Sequence, residues 1–226
     1  MEARQPRIRR VTLKGQAYDY LKRAIIKGEI ESGQVYSEQY FADLLAISRT
    51  PVREAVLQLS QEGFVNIHPN IGVSVREISG ADLEEMFQLR TAIEGYCCKL
   101  AAERIHSPEG EELLKNLGDY IQQEEKIFKA KGSPAECMKH DGLFHLAIVQ
   151  FTENSQMLEI MNRLASRINQ IGVKTLYKPG RLEATLNEHR EIVDCIRQGR
   201  AMEALAAAEH HFNMAKDLIL SSKVLN

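Results

Sequence analysis

The sequence predicts a mainly α-helical protein in two parts, an N-terminal winged helix-turn-helix and a C-terminal all-α bundle of six helices. Three observations carry that reading. Apolar residues recur at i, i+3, i+4 and i+7 along most of the chain, the spacing of one helical face. The period changes to two at one place, "FVNIHPNIGVSVREI" (64–78), where "HPNIG" puts Pro and Gly between two alternating runs, as a hairpin turn requires. Charge is also divided: residues 1–76 carry 11 Lys or Arg against 8 Asp or Glu, and residues 77–226 carry 18 against 23.

Each element follows in order. After a basic, disordered tail (1–11), a helix starts near Leu13, buries Ala17, Leu21, Ala24 and Ile25, and stops at Gly28. Ser37 opens a second, short helix. The third is "SRTPVREAVLQLSQEGF" (48–64), with Ser48 or Thr50 as cap, Pro51 in the first turn, and Val52, Ala55, Val56 and Leu59 facing inward. The hairpin completes a domain over 12–78. "SGAD" (79–82) reads as the linker, and residues 79–226 form the bundle, with helices near 81–105, 107–130, 134–151, 155–176, 182–198 and 200–222. Ser107-Pro108 and the capping-box pattern Ser133-Pro134-Ala135-Glu136 mark two starts; Gly132, Pro179-Gly180 and Gly199 mark breaks.

Composition bounds the function. The net charge is only −2, yet the first 27 residues hold 8 basic against 2 acidic side chains, so a polyanion partner is expected for the front end alone. No stretch approaches the roughly 18 apolar residues of a membrane span, and "MEARQPRIRR" has no apolar signal core, so a cytoplasmic protein with no membrane partner is expected. Cys97, Cys98, Cys137 and Cys195 show no CxxC spacing and read as small buried hydrophobes.

In a helix-turn-helix the second helix enters the major groove with its first turn on bases and phosphates. That turn presents Ser48, Arg49 and Thr50 here, with Arg53 one turn on. Arg can pair bidentately with guanine, and Ser or Thr can bind phosphate or a base. One such helix reads few base pairs, so a homodimer on an inverted repeat of double-stranded DNA is expected.

In the bundle, polar residues intrude on apolar stripes. Asp141 and His145 lie among Met138, Phe144, Ile148 and Val149; His189 shares a face with Leu182, Leu186, Val193 and Ile196; His211 lies with Ala204, Ala208, Ala215 and Leu218. His210 has the opposite phase and faces outward. Arg90 lies on the stripe Leu83, Met86, Ile93, Cys97, Leu100. One inward histidine alone is usually a satisfied core residue. Four helices each directing a charged or imidazole group inward satisfy one another only by pairing or through a metal. Asp141, His145, His189 and His211 make an Asp-His₃ set that suits Zn²⁺, with Ni²⁺ or Mn²⁺ as alternatives. Arg90 then needs an anion, and a small carboxylate effector touching both metal and Arg90 would supply it.

The stretch "SEQYFADLLAISRTPVREAVLQLSQEGFVNIHPNIGVSV" resembles the DNA-binding domain of GntR-type bacterial transcription regulators, over about residues 12–76. The resemblance implies base or phosphate contacts by Arg49 and Arg53 with Ser48 and Thr50 in support, and a wing that lies near His68 and Gly72 against the minor groove. The chain departs from the pattern at Ala46, often Gly, and at Ile71, often basic. "DGLFH", "NEHRE", "AEHHF" and "MFQLR" resemble the effector domain of the branch named for the fatty-acid regulator, in its metal-containing members. They imply Asp141, His145, His189 and His211 as ligands, and Arg90 as the matching arginine. The helix count is similar to the subgroup named for the vanillate regulator. The function expected is a ligand-responsive, non-enzymatic regulator of transcription. Two alternatives stand beside it: a metal-dependent enzyme fused to a DNA-binding domain, with Glu94 as the nearest base, and a constitutive DNA binder with a structural metal.

Overall fold

The computed structural model describes residues 12–130, 132–175 and 180–221; the tail expected over 1–11 and Pro179 of the expected break lie outside them. Residues up to Glu77 form one compact unit and those from Ile78 a second. Mainly α-helical structure with one small sheet is what the described residues show.

In the first unit α1 (Leu13–Lys27) is capped by Thr12 and ends on Gly28, whose φ of 74° is the left-handed conformation glycine adopts without strain. Helix α2 (Glu38–Leu45) begins at Ser37, which accepts from the Tyr40 amide at 3.0 Å. It ends on Ala46, held left-handed at φ 53°. Helix α3 (Arg49–Gln61) starts after Ser48, but the Ser48 side chain makes no capping bond and Thr50 is already inside the helix. Ser48 therefore holds the cap position without a side-chain bond and Thr50 does not cap, which leaves both residues exposed at the start of α3. Leu21, Ile25, Phe41, Val52, Val56, Leu59, Phe64 and Val73 fill the core.

The hairpin is β2 (Val65–His68) and β3 (Gly72–Val75), antiparallel. A strand of two residues, β1 (Val35–Tyr36), adds to the other edge of β3. Sequence period cannot reveal so short a strand. It also explains Gly72: a Cβ there would sit 2.4 Å from the Tyr36 carbonyl oxygen, so only glycine lets β1 and β3 close.

The second unit opens differently from its expectation. Ser79 and Asp82 form a reciprocal capping box, so "SGAD" is the start of α4 (Gly80–Arg90) and not a linker. The first bundle helix is also not continuous. Thr91–Gly95 form a π-helical turn, after which α5 runs over Tyr96–Glu103. The widened turn shifts the buried face, so Cys98, Ala101 and Ala102 are buried where Leu100 had been expected. There follow α6 (Pro108–Lys129), α7 (Pro134–Phe151), α8 (Ser155–Thr175), α9 (Arg181–Arg197) and α10 (Ala201–Ser221). Ser107 caps α6 with Pro108 at its first position. The core contains Leu83, Phe87, Leu117, Phe144, Ile148, Ile192, Ile196 and Phe212, and all four cysteines are buried with free thiols. Among the described residues no helix is long and apolar enough to cross a membrane.

Candidate functional site

Arg49 and Arg53 are exposed on consecutive turns of α3, and Ser48 and Thr50 are exposed beside them. Glu38, in the first turn of α2, reaches both: its oxygens lie 3.4 Å from Arg49 Nη2 and 3.6 Å from Arg53 Nε. Exposed pairs of this kind contribute only about 0–1 kcal/mol, so Glu38 aligns the two guanidiniums without sequestering them. Sequence reading missed Glu38, because a glutamate in a helix's first turn is already explained by the helix dipole. At the hairpin, His68 Nε2 is 2.8 Å from Ser74 Oγ, and Ile71 stands 72% exposed at the tip.

The second unit brings Asp141, His145, His189 and His211 together. One ligand atom from each lies within 4.8 Å of all the others. Helix α7 supplies Asp141 and His145 four residues apart, α9 supplies His189 and α10 supplies His211. Asp141 Oδ1 is 3.5 Å from His189 Nε2 and 3.9 Å from His145 Nε2. The three imidazole centroids lie 4.8–5.2 Å apart. All three rings are buried, and His210 is exposed.

Each imidazole also meets a carboxylate on its other side. His145 Nδ1 lies 2.7 Å from Glu94 Oε2, His189 Nδ1 lies 3.3 Å from Glu124 Oε2, and His211 Nδ1 lies 2.7 Å from Glu188 Oε2. Arg181 grips Glu188 through its two terminal guanidinium nitrogens, Nη1 and Nη2, at 2.7 and 2.9 Å. Burial, seconded by the Arg90 charge, holds the His145 pKa well below the usual histidine value. Burial does the same for His211, against the opposing hydrogen bond to Glu188. Burial also disfavours charged His189, but there the hydrogen bond and charge of Glu124 win and its pKa is raised. Burial raises Glu94 despite Arg90 and raises Glu124 despite His189. It opposes ionisation of Glu188 too, where the bonds from His211 and Arg181 prevail and the pKa falls.

Arg90 is buried, as its stripe implies, but it does not lack an anion. Its Nε donates to Glu94 Oε1 at 2.6 Å, and its guanidinium sits 4.4 Å over the Phe212 ring. The need for an external anion is thereby corrected, since the π-turn supplies one four residues on. Arg90, Asp141 and Ile168 line two small cavities. One, of about 40 Å³, also meets Arg181, Thr185 and His211; the other, of about 20 Å³, meets Glu94 and His145.

The residues fit a metal. His145 Nε2 and His189 Nε2 are buried without a hydrogen-bond partner among the described residues, and both face Asp141. A buried polar atom left unpaired costs about 1–3 kcal/mol, so two in one place mark a site that a cation completes.

Comparison with known proteins decides the family. Residues 85–214 match the FCD domain, more than half of the chain, and residues 13–75 match the bacterial regulatory proteins of the gntR family. The chain belongs to the GntR family. This GntR regulator is 28% identical over 216 residues to the "Probable D-xylose utilization operon transcriptional repressor" of Paenarthrobacter nicotinovorans, covering 93% of this chain and 90% of that one. It is 26% identical over 190 residues to the HTH-type transcriptional repressor RspR of Escherichia coli, covering 83% and 81%. Its fold matches that of McbR/YncC of E. coli with a TM-score of 0.76 at 21% identity, over 93% of this chain and 98% of the other. It is a transcriptional regulator with a GntR DNA-binding domain and an FCD effector domain. The relatives are named as regulators and repressors, not enzymes, which removes the fused-enzyme alternative.

Proposed function

We propose that this GntR regulator acts in the cytoplasm as a homodimer on an inverted-repeat operator, and that its FCD domain senses a small carboxylate through a divalent metal and Arg90. Asp141, His145, His189 and His211 would hold the ion, with Zn²⁺ the first choice for one oxygen and three imidazole donors and Ni²⁺ or Mn²⁺ as alternatives. The regulator's place within the family would be the subgroup named for the vanillate regulator, on the helix count read from the sequence. Operator contacts fall to Arg49 and Arg53 on bases or phosphates, to Ser48 and Thr50 beside them, and to the wing at His68 and Gly72.

The single observation that carries the metal reading is the charge and pairing of the cluster. With the imidazoles neutral, as ligation requires, and the acids ionised, the cluster holds four described carboxylates, Asp141, Glu94, Glu124 and Glu188, against two guanidiniums, Arg90 on Glu94 and Arg181 on Glu188. Two negative charges remain, and a dication balances them. Held by these four side chains, an ion that takes five or six ligands would have a position left for an oxygen donor. Arg90, lining both cavities next to Asp141, offers the effector its second contact. The effector competes with Glu94 for that guanidinium, so its binding reorders the π-turn on the first bundle helix. An effector shifts operator affinity only if it favours one conformation over another.

The test is operator binding by the metal-loaded protein with and without a panel of small carboxylates. Wild type should respond to at least one, and Arg90→Ala should keep metal and operator binding while losing the response. A protein whose operator affinity ignores every carboxylate is the constitutive binder. A response that survives in Arg90→Ala at the wild-type concentration removes Arg90 from the effector site.

A further inference from the structure

The three histidines share an orientation that the ligand set alone does not explain. Each turns its Nδ1 onto a buried carboxylate from a different element: Glu94 of the π-turn, Glu124 of α6 and Glu188 of α9. Nε2 of His145 and His189 points toward Asp141. His211 has its Nδ1 on Glu188, which leaves its Nε2 for the cluster.

Two of these acids have an evident structural partner. Glu94 is held by Arg90 and Glu188 by Arg181. Glu124 is different. It is 1% exposed, its only ion-pair contact among the described residues is His189, with Nδ1 3.3 Å from Oε2, and beyond that contact neither of its oxygens has a hydrogen-bond partner there. A buried carboxylate is costly to desolvate and persists where it is paired. No guanidinium or ammonium group among the described residues offsets that cost. The imidazole is what it serves.

We infer that Glu124, with Glu94 and Glu188, is a positioning residue for the metal, one carboxylate per imidazole, fixing Nδ1–H so that each ring presents an Nε2 lone pair beside Asp141. This rests on the metal reading above and adds its outer layer. The physical reason is general: a carboxylate accepting from one ring nitrogen selects the tautomer, locks the ring plane and makes the other nitrogen more basic. For His189 the ring plane is further fixed by Phe144, stacked at 4.2 Å and 15°.

Glu124 is the residue to vary, since altering Glu94 or Glu188 would also strand an arginine. Full-length protein stripped by chelator is titrated with Zn²⁺ against a chromophoric competitor, with folding checked by circular dichroism. Glu124→Ala should weaken Zn²⁺ binding about 10–100-fold. Glu124→Gln, whose carbonyl still accepts from Nδ1–H, should recover part of that loss, a rescue that mere space-filling would not produce. Separately, ¹⁵N spectra of the Zn²⁺-loaded wild type should show all three histidines bound through Nε2 with a retained Nδ1–H. A folded Glu124→Ala protein with wild-type affinity overturns the inference, and so does Nδ1 ligation at any of the three. Should Glu124→Ala fail to fold, the wild-type spectra alone decide. A wild type that takes up no Zn²⁺ overturns the metal reading itself, a result distinct from tight binding that ignores Glu124.

Discussion

His210 and His211 are adjacent on α10, and the proposed site makes opposite demands on them. His211 is buried with its Nδ1 on Glu188, while His210 is exposed. Replacing each with alanine therefore tests the metal centre with an internal control one residue away. The magnitude comes from the two orphaned atoms, His145 Nε2 and His189 Nε2. Each left unpaired costs about 1–3 kcal/mol, so occupancy should stabilise the bundle by roughly 2–6 kcal/mol. A site held at 100 times its Kd gives about 2.7 kcal/mol, within that range. For a domain of this size 1 kcal/mol moves Tm by about 2–4 °C, so chelation should lower Tm by at least about 4 °C. The assay is thermal unfolding with and without chelator, alongside metal analysis of the purified proteins. Wild type and His210→Ala should contain about one transition-metal ion per chain and show the shift. His211→Ala should show neither. The reasoning fails if His210→Ala loses the metal while His211→Ala keeps it, or if chelation leaves wild-type Tm unchanged.

Three further outcomes are expected. Arg49→Ala should weaken operator binding by about 1–3 kcal/mol in a titration at fixed salt, with Tm little changed because the side chain is exposed. Ala46→Gly should raise the stability of the first unit by about 0.5–1.5 kcal/mol in urea unfolding, because Ala46 is held at φ 53°. Glu62 is pushed up by burial, but hydrogen bonds from Lys22 and Tyr18 outweigh this and lower its pKa in the fold. A lowered acid stabilises above its unfolded value of about 4.3 and loses that contribution as pH falls through the folded value. Unfolding of Glu62→Gln should therefore begin from a less stable state than wild type at pH 7, with the gap closing below the ordinary carboxylate range.

What the sequence made legible was whatever repeats or has local chemistry. Helical phase alone separated His211 from His210 and put Asp141, His145 and His189 on inward stripes, because burial is periodic and the ligands share the period of the core. Gly28 and Ser37 announced their caps through residue type. The partners of the ligands were not legible. Glu124 stands in the polar run "QQEEK", where only its phase with Leu113, Leu117 and Ile121 separates it from Glu125, half-exposed and paired with Lys129. Glu188 precedes His189 in sequence, yet its role depends on α10 arriving beside it. "SGAD" looked like a linker because Ser, Gly and Asp serve turns and helix starts equally well. The Arg90–Glu94 pair was legible as an i, i+4 spacing from an inward Arg90, which places both on one face, yet Arg90 was assigned a foreign anion.

The π-turn at Thr91–Gly95 sets Arg90 and Glu94 at a place where chain length is locally negotiable. In a regular α-helix each residue advances the face by about 100°, so a one-residue deletion in α6 or α9 would swing every side chain beyond it out of the core. Here the turn already holds one residue more than an α-turn needs. Deleting one residue within it lets the ladder close as an ordinary helix while α4 and α5 keep their packing. The fold would survive with Arg90 and Glu94 three residues apart instead of four, so the length of this one turn sets the geometry of their contact without governing the scaffold.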